Sequence, residues 1–218
     1  MIASCDPQEV MDLAAVAHLS AIDGKVPVLH FFDGFRTSHE QQKIDVWSYD
    51  ELRNMVNWNA VREFRQRVIN PNHPHSMGSA EQPEAFFQHR EACNKNYEDT
   101  VDTIARYMQL VSEKCGKEPA YKPFSYYGAE DAEEIIIAMG SVCDAAEELI
   151  DHINAQGKKT GLVIVRLYRP FSAKHLLKVV PKSVKRIAVL DRTKEPGSPG
   201  EPLYLDVVAA LKGSKFDS

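Results

Sequence analysis

Hydrophobic and polar positions divide the chain into three parts. An apolar run at residues 1–5 predicts the end of a strand, and we expect the sheet beside it to be incomplete. Apolar side chains at helical spacing follow Asp6 and Pro7, which predict an N-cap and the first position of a helix. A nearly continuous apolar run at residues 26–32 predicts a strand covered on both faces, as in a parallel α/β sheet.

The middle of the chain has helical periodicity. A stretch at residues 70–79 is interrupted by X-Pro pairs and glycine, which disfavour helix and strand alike. A loop is predicted at residues 119–128. The predicted helices cover residues 48–56, 58–67, 83–92 and 97–115, with Gly116 ending the last one. This section is therefore interpreted as a helical connector.

From Glu133 onwards the pattern alternates between strands and helices. Ser141 is predicted to cap the first of these helices, with Asp144 three residues later. Strands separated by helices of this length imply right-handed crossovers and a parallel sheet. The predicted strands are residues 135–139, 162–167 and 187–190, and the predicted helices are residues 142–156, 173–180 and 202–211.

Composition and charge are typical of a globular domain and disfavour several other classes of protein. With 44% hydrophobic and 26% charged residues, the chain has the balance of a globular domain with a sizeable core. No apolar run approaches the ~20 residues of a membrane span, and the N-terminus lacks the layout of a signal peptide. The net charge of −5 does not favour nucleic acid or an anionic membrane as partner. A cytoplasmic location is expected.

The four cysteines, Cys5, Cys93, Cys115 and Cys143, are far apart in the sequence. Iron–sulfur and structural zinc sites usually bring two ligands in on one short C-x2-C turn, and none occurs here. We therefore predict four buried, reduced thiols and no metal cluster in this chain.

Several short motifs carry weak chemical signals. Gly140-Ser141 lies between a strand and a helix, where backbone N–H groups can hold a phosphate. One glycine falls short of the nucleotide-binding fingerprints, so a helix start is the favoured interpretation and a nucleotide-binding dehydrogenase is disfavoured. His73 and His75 flank a proline and are interpreted as part of a solvated loop rather than a metal site.

Two charged segments follow predicted strands. Asp33, Ser38 and His39 include the residue types of a hydrolase triad, but they are too close in sequence to form one, and G-x-S-x-G is absent. Arg192 and Lys194 could contact an anionic cofactor or a neighbouring domain. Local pairing with acidic neighbours is equally compatible with the sequence.

Five stretches resemble the pyruvate:ferredoxin (flavodoxin) oxidoreductase family, in the same order along the chain. They are VPVLHFFDGFRTSHE (26–40), FFQHREACN (86–94), AMGSV (138–142), VRLYRPFSAKHLL (165–177) and AVLDRTKEPGSPGEPLYLDV (188–207). The resemblance extends from residue 1 to about residue 212. Single-chain members of the family are several times longer, so this chain is expected to be an internal segment of such an enzyme.

The resemblance implies an α/β fold in successive parts. These are the C-terminal part of a thiamine pyrimidine-binding domain with a truncated parallel layer (1–56), a helical connector (57–125), a Rossmann-like domain similar to the C-terminal domain of transketolase, with a parallel sheet and helices on both faces (126–212), and a tail (213–218). The family decarboxylates pyruvate oxidatively with coenzyme A, giving acetyl-CoA and CO2. Thiamine diphosphate, magnesium and [4Fe–4S] clusters supply the chemistry, and ferredoxin or flavodoxin accepts the electrons.

The same resemblance assigns no catalytic residue and no metal ligand to this chain. The activating glutamate, the pyruvate-binding residues, the diphosphate–magnesium site and the cluster cysteines are expected elsewhere in the enzyme, so no cofactor is expected on this segment alone. The motif nearest to the thiamine chemistry contains Asp33, Arg36, Thr37, Ser38 and His39. Candidates for interdomain or dimer contacts are Arg166, Arg169, Arg192 and Lys194.

Two functions remain open from the sequence. In the first, the chain is scaffold and interdomain surface of the oxidoreductase and is inactive alone. Its partners are then the remaining domains, a second copy in a homodimer, and ferredoxin, flavodoxin or an NADP-linked fusion acting through other parts. In the second, it is a standalone α/β module that binds a partner and catalyses nothing. Neither interpretation includes nucleic acid or a membrane.

Overall fold

The first helix begins as its sequence predicts. In the computed structural model, which describes residues 1–76, 78 and 80–217, the Asp6 carboxylate accepts the backbone N–H of Glu9 at 2.9 Å. Pro7 opens helix α1 (Pro7–Gly24), and Lys25 ends it in a left-handed conformation with φ 57°. Met77 and Ser79, within the predicted irregular stretch, and Ser218, in the predicted tail, lie outside the described residues.

The strand predicted at residues 26–32 is shorter and more exposed than expected. Strand β1 (Ile2–Ala3) pairs in parallel with β2 (His30–Phe31), and these two form the first sheet. The expectation that both faces are covered is wrong, because Leu29 and Phe32 are exposed. The Ile2 N–H donates to the carbonyl of Leu29 and the Ser4 N–H to that of Phe31, and a turn begins at Gly34.

Four α-helices are described between the two sheets, and the last three of them lie in the predicted helical connector (57–125). Ser48 and Glu51 form a reciprocal capping box at the start of the first. The longest begins at Asn94, three residues before its predicted start, and ends at Gly116 with φ +68°. Its apolar stripe packs against α1 in a core that includes Leu13, Ile104 and Met108. The four are α2 (Tyr49–Met55), α3 (Trp58–Arg67), α4 (Pro83–Ala92) and α5 (Asn94–Cys115).

The second sheet has four strands in the order β3-β5-β4-β6. Three are parallel, as predicted, and helices connect them. The fourth, β3 (Phe124–Gly128), runs antiparallel to β5 along one edge. The loop predicted at residues 119–128 is therefore wrong for residues 124–128, and this edge strand adds one antiparallel pair to the predicted parallel sheet. The remaining elements are β4 (Glu134–Ala138), α6 (Val142–Ala155), β5 (Thr160–Val165), α7 (Ala173–Val179), β6 (Arg186–Val189) and α8 (Pro202–Leu211).

Helices cover both faces of the second sheet, which confirms the predicted α/β class. Alternate residues of the central strand β5 point to opposite sides, and all six are buried. Val163 and Val165 pack in the same core as Leu176 of α7 and Leu203 of α8. On the other face, Leu162 and Ile164 belong to a core that includes Ala146 and Ile150 of α6.

The two sheets contact each other through β1. The N–H of Ala3 donates to the carbonyl of Arg166 at 2.8 Å, and Ile2 forms an antiparallel bridge with Leu167 just after β5. The first strand therefore lies between β2 and the chain that leaves the second sheet.

Among the helices of the described residues, none combines the length and the apolar character that a membrane crossing requires.

The cysteines depart from the prediction of four buried thiols. All four are free, and Cys5 and Cys143 are buried in one core. Cys93 is only partly buried and Cys115 is exposed, because each lies at the end of a connector helix rather than in a core.

Candidate functional site

The N-terminus of α6 binds a side-chain carboxylate from a distant part of the same chain. Helix N-termini present free N–H groups and a partial positive charge. The Ser141 N–H donates to Oδ2 of Asp33, 108 residues away in sequence, at 2.6 Å. Ser141 occupies the predicted N-cap position, but its backbone is in the α conformation and its side chain makes no capping hydrogen bond.

Asp33 also pairs with a residue that follows a strand of the second sheet. Arg192, in the loop after β6, pairs with its other carboxylate oxygen. Gly140 allows the close approach: it has φ +83°, and a Cβ there would lie 2.7 Å from Asp33 Oδ2. We call Asp33, Ser141 and Arg192 the Asp33 cluster. Partial burial acts to raise the pKa of Asp33, but the Ser141 hydrogen bond and the charge of Arg192 outweigh it and hold that pKa below its ordinary value.

The residues after Asp33 form a tight turn that the structure ties to the first sheet. Thr37 is buried, and its hydroxyl donates to the carbonyl of Cys5 at 3.2 Å. Phe35 has φ 63°, and its N–H donates to Ser38 Oγ at 2.9 Å. Ser38 Oγ also lies 2.8 Å from Nδ1 of His39, whose ring stacks on Phe35. Since Asp33 bonds to Ser141 and Arg192 rather than to His39, a hydrolase triad does not form.

A cleft of about 1000 Å³ opens beside this turn. Arg36 and His39 lie along one side, and the first turns of α6 lie along the other. The cleft also contains Asp144. Partial loss of hydration, together with the negative charges of Asp6 and Glu9, raises the pKa of this carboxyl group to about 6. Asp144 therefore exchanges a proton near neutral pH, a property that its sequence position after Ser141 did not indicate.

The four basic residues that were predicted to make interdomain or dimer contacts have different partners. Arg166 is buried and pairs with Glu9 of α1, and Arg192 pairs with Asp33, so both connect the second sheet to the first fifty residues. Arg169 pairs with Asp206 of α8, and Lys194 pairs with Glu201 just before α8. Asp191, the acidic residue next to Arg192 in the sequence, accepts two backbone N–H groups at the start of α8.

The ion pair of Arg166 with Glu9 is buried between α1 and the second sheet. Oε1 of Glu9 accepts from Nε and Nη2 of Arg166 at 2.9 and 2.6 Å, and Oε2 accepts the Cys5 N–H at 3.0 Å. Nη1 of Arg166 donates to Ser125 Oγ at 2.7 Å. The sequence position of Glu9, in the first turn of α1, indicates only a helix start and gave no sign of this contact.

The Asp33 cluster makes stability depend on pH in a defined direction. We expect Asp33→Asn to lower the free energy of unfolding by about 1–2 kcal/mol at pH 7, since a hydrogen bond and a charge contact are weakened. Because the pKa of Asp33 is lowered on folding, its contribution is present above about pH 4 and declines as the pH falls further. Urea unfolding between pH 7 and pH 3 measures both effects.

The matched control is Asp99→Asn, which removes an exposed partner of Lys95. This variant should change stability little at any pH, because exposed pairs contribute little. Parallel pH profiles for the wild-type protein and Asp33→Asn would show that the Asp33 carboxylate does not stabilise the fold.

Comparison with known proteins gives matches along nearly the whole chain. The family model "Pyruvate flavodoxin/ferredoxin oxidoreductase, thiamine diP-bdg" matches residues 1–109, and "Pyruvate:ferredoxin oxidoreductase core domain II" matches residues 132–217. The pyruvate:ferredoxin oxidoreductase of Moorella thermoacetica is 55% identical over 97% of this chain and 18% of its own length. The pyruvate-flavodoxin oxidoreductase of Enterobacter agglomerans is 54% identical over 99% and 18%. The pyruvate dehydrogenase [NADP(+)] of Cryptosporidium parvum is 45% identical over 97% and 11%.

The matches cover a small share of the relatives. The chain spans about 18% of the length of the first two curated relatives. The predicted boundaries at residues 56, 125 and 212 stay predictions.

The described residues do not fit the diphosphate and metal of a thiamine cofactor. The helix N-terminus that could hold a phosphate, at Ser141, is taken by the Asp33 carboxylate. Among residues 1–76, 78 and 80–217, no group of three or more His, Cys, Asp or Glu side chains is arranged to hold a metal ion. No chemical step is therefore assigned to a cofactor on these residues.

Proposed function

Because this chain belongs to the pyruvate flavodoxin/ferredoxin oxidoreductase family, we propose that it is part of a thiamine diphosphate-dependent enzyme that oxidises pyruvate. With coenzyme A the products are acetyl-CoA and CO2, and the electrons leave to ferredoxin or flavodoxin. The observation that carries the proposal is the succession of two family matches along one chain. The pyruvate-oxidising relatives, 43–55% identical, support it.

In this proposal the chain is scaffold and interdomain surface. Asp33 connects the turn at residues 35–39 to α6, and Arg166 connects α1 to the second sheet. These contacts fix the cleft side chains Arg36 and His39 relative to the second sheet. Thiamine diphosphate, magnesium and the [4Fe–4S] clusters bind to other parts of the enzyme, which we expect to supply the catalytic residues. The cytoplasm is the proposed location.

The partners follow from the same role. The remaining domains of the same enzyme contact this segment, and a second copy completes a homodimer. Ferredoxin or flavodoxin binds elsewhere on the enzyme. A relative with a similar segment is named for NADP(+) rather than for ferredoxin or flavodoxin, which supports the proposal that the acceptor binds outside this chain.

A hybrid enzyme tests the proposal. The matching segment of the Moorella thermoacetica enzyme is replaced by this chain, to which it is 55% identical. We expect the purified hybrid to reduce methyl viologen with pyruvate, thiamine diphosphate and coenzyme A. The 218-residue chain alone should show no reduction under the same conditions.

Two controls make the result decisive. A hybrid that lacks the segment should be inactive, and the parent enzyme should be active. Viologen reduction by the isolated chain would contradict the scaffold role. A soluble hybrid with parental cofactor content and no turnover would favour the alternative, a non-catalytic interaction module.

A further inference from the structure

Cys5 and Cys143 bring two thiols together where the first sheet meets the second. Cys5 follows β1, whereas Cys143 lies in the first turn of α6. The two side chains are 3% and 1% exposed and belong to one core, whose other buried members are apolar. A hydrogen bond with Cys143 is the largest of the causes that raise the pKa of the Cys5 thiol, and burial is the next. The two sulfur atoms therefore face each other in the interior.

The backbone of each cysteine is fixed by hydrogen bonds. The Cys5 N–H donates to Glu9 Oε2 at 3.0 Å, and the Cys5 carbonyl accepts the Thr37 hydroxyl at 3.2 Å. The Cys143 N–H donates to the carbonyl of Gly140 at 3.0 Å. Because both segments are held in this way, the two thiols stay close as long as the two sheets remain packed.

Contact between the thiols separates this pair from an ordinary buried cysteine. A single buried thiol is usually an inert packing group, since burial disfavours the reactive thiolate. Two thiols in contact differ, because each supplies the second sulfur that a disulfide needs. Burial would also protect such a disulfide, since reducing thiols have little access to it.

We infer that Cys5 and Cys143 form a site of oxidative modification, at which hydrogen peroxide converts the two thiols into a disulfide that joins β1 to α6. The peroxide first oxidises one thiol to a sulfenic acid and releases one water. The second thiol then attacks the sulfenic sulfur, so that the S–S bond forms and a second water leaves. Two electrons thus pass from the sulfur atoms to the peroxide. The cross-link joins covalently the two parts that the Asp33 cluster and the pair of Glu9 with Arg166 hold together.

Peptide mapping of the 218-residue chain tests the inference. The variant Cys93→Ser/Cys115→Ser, which keeps only the two buried cysteines, is treated with hydrogen peroxide, and catalase then removes the excess. Free thiols are alkylated in denaturant. We expect mass spectrometry without reduction to show a cross-linked pair of peptides that contain Cys5 and Cys143. In the matched control, which adds Cys143→Ala, no cross-link should form.

Stability provides a second readout of the same reaction. Cys5 and Cys143 are far apart in the sequence, so a disulfide between them closes a long loop. Peroxide treatment should therefore raise the urea midpoint of unfolding by at least about 1 M, and dithiothreitol should reverse the change. The Cys143→Ala control should show no such rise, and circular dichroism checks that each variant is folded.

Two results would overturn the inference. In one, Cys5 or Cys143 is oxidised to a sulfinic acid and no cross-link forms. In the other, both thiols can still be alkylated after peroxide treatment, although the exposed Cys115 of the wild-type chain is oxidised under the same conditions. Neither result depends on viologen reduction by the hybrid enzyme, so this inference and the proposed function fail separately.

Discussion

We expect Arg166→Leu to lower the free energy of unfolding by about 3–5 kcal/mol, because it leaves the buried Glu9 carboxylate with an uncompensated charge. The side chains of Arg166 and Glu9 are only 9% and 4% exposed. Burial acts to lower the pKa of Arg166, but the Glu9 carboxylate outweighs it and raises that pKa, so the guanidinium stays charged. The substitution also removes the hydrogen bond to Ser125. Equilibrium urea unfolding measures the loss.

Two further variants separate the lost charge contact from lost packing. Arg169→Leu removes a half-exposed partner of Asp206 and should cost less than about 1 kcal/mol. The double variant Glu9→Leu/Arg166→Leu should be more stable than Arg166→Leu, because no unpaired charge remains in the interior. If the double variant loses as much stability as Glu9→Leu and Arg166→Leu lose separately, added together, the two side chains do not interact directly.

Local signals explain what could be predicted from the sequence. The capping carboxylate of Asp6 and the terminating Gly116 act within a few residues of their own helices. Alternating strands and helices after Glu133 likewise identified three parallel strands. Such features need no knowledge of the rest of the fold.

The Asp33 cluster could not be predicted in the same way. Its contacts join residues 108 and 159 positions apart. From the sequence, Asp33 begins a turn, Ser141 caps a helix and Arg192 belongs to a charged loop. Only the packing of the two sheets brings the Asp33 carboxylate to the N-terminus of α6, where it accepts the Ser141 N–H. The pairing of Glu9 with Arg166 depends on the same packing.

Strand β3 was missed for a related reason. Its five residues follow Pro123 and end at Gly128, two residue types typical of loops, although Phe124, Tyr126 and Tyr127 favour strands. Antiparallel pairing with β5 from Phe124 to Gly128 makes it a strand. Gly128 itself has φ +120°, a conformation that is open mainly to glycine. The residue that suggested a loop is therefore the one that permits the edge strand.

We expect Gly128→Ala to lower the free energy of unfolding by about 3 kcal/mol or more, because two costs act together. An alanine at φ +120° is strained, and its Cβ would lie 2.6 Å from the carbonyl oxygen of Thr160 and 2.7 Å from Cα of Gly161. Both contacts are with the backbone of β5, the central strand, which cannot move aside like a flexible side chain. Urea unfolding gives the loss, and hydrogen exchange of β3 amides locates it.

Gly157→Ala distinguishes backbone strain from the close contact. Gly157 has φ +86°, and a Cβ there meets no heavy atom within 4 Å among those described. Alanine at this position should cost only the conformational strain, about 1–2 kcal/mol. If both variants lose the same stability, the approach of β3 to β5 at Gly128 is not what requires glycine. A larger loss for Gly128→Ala, with faster exchange confined to β3 and β5, assigns the difference to the backbone contact at this sheet edge.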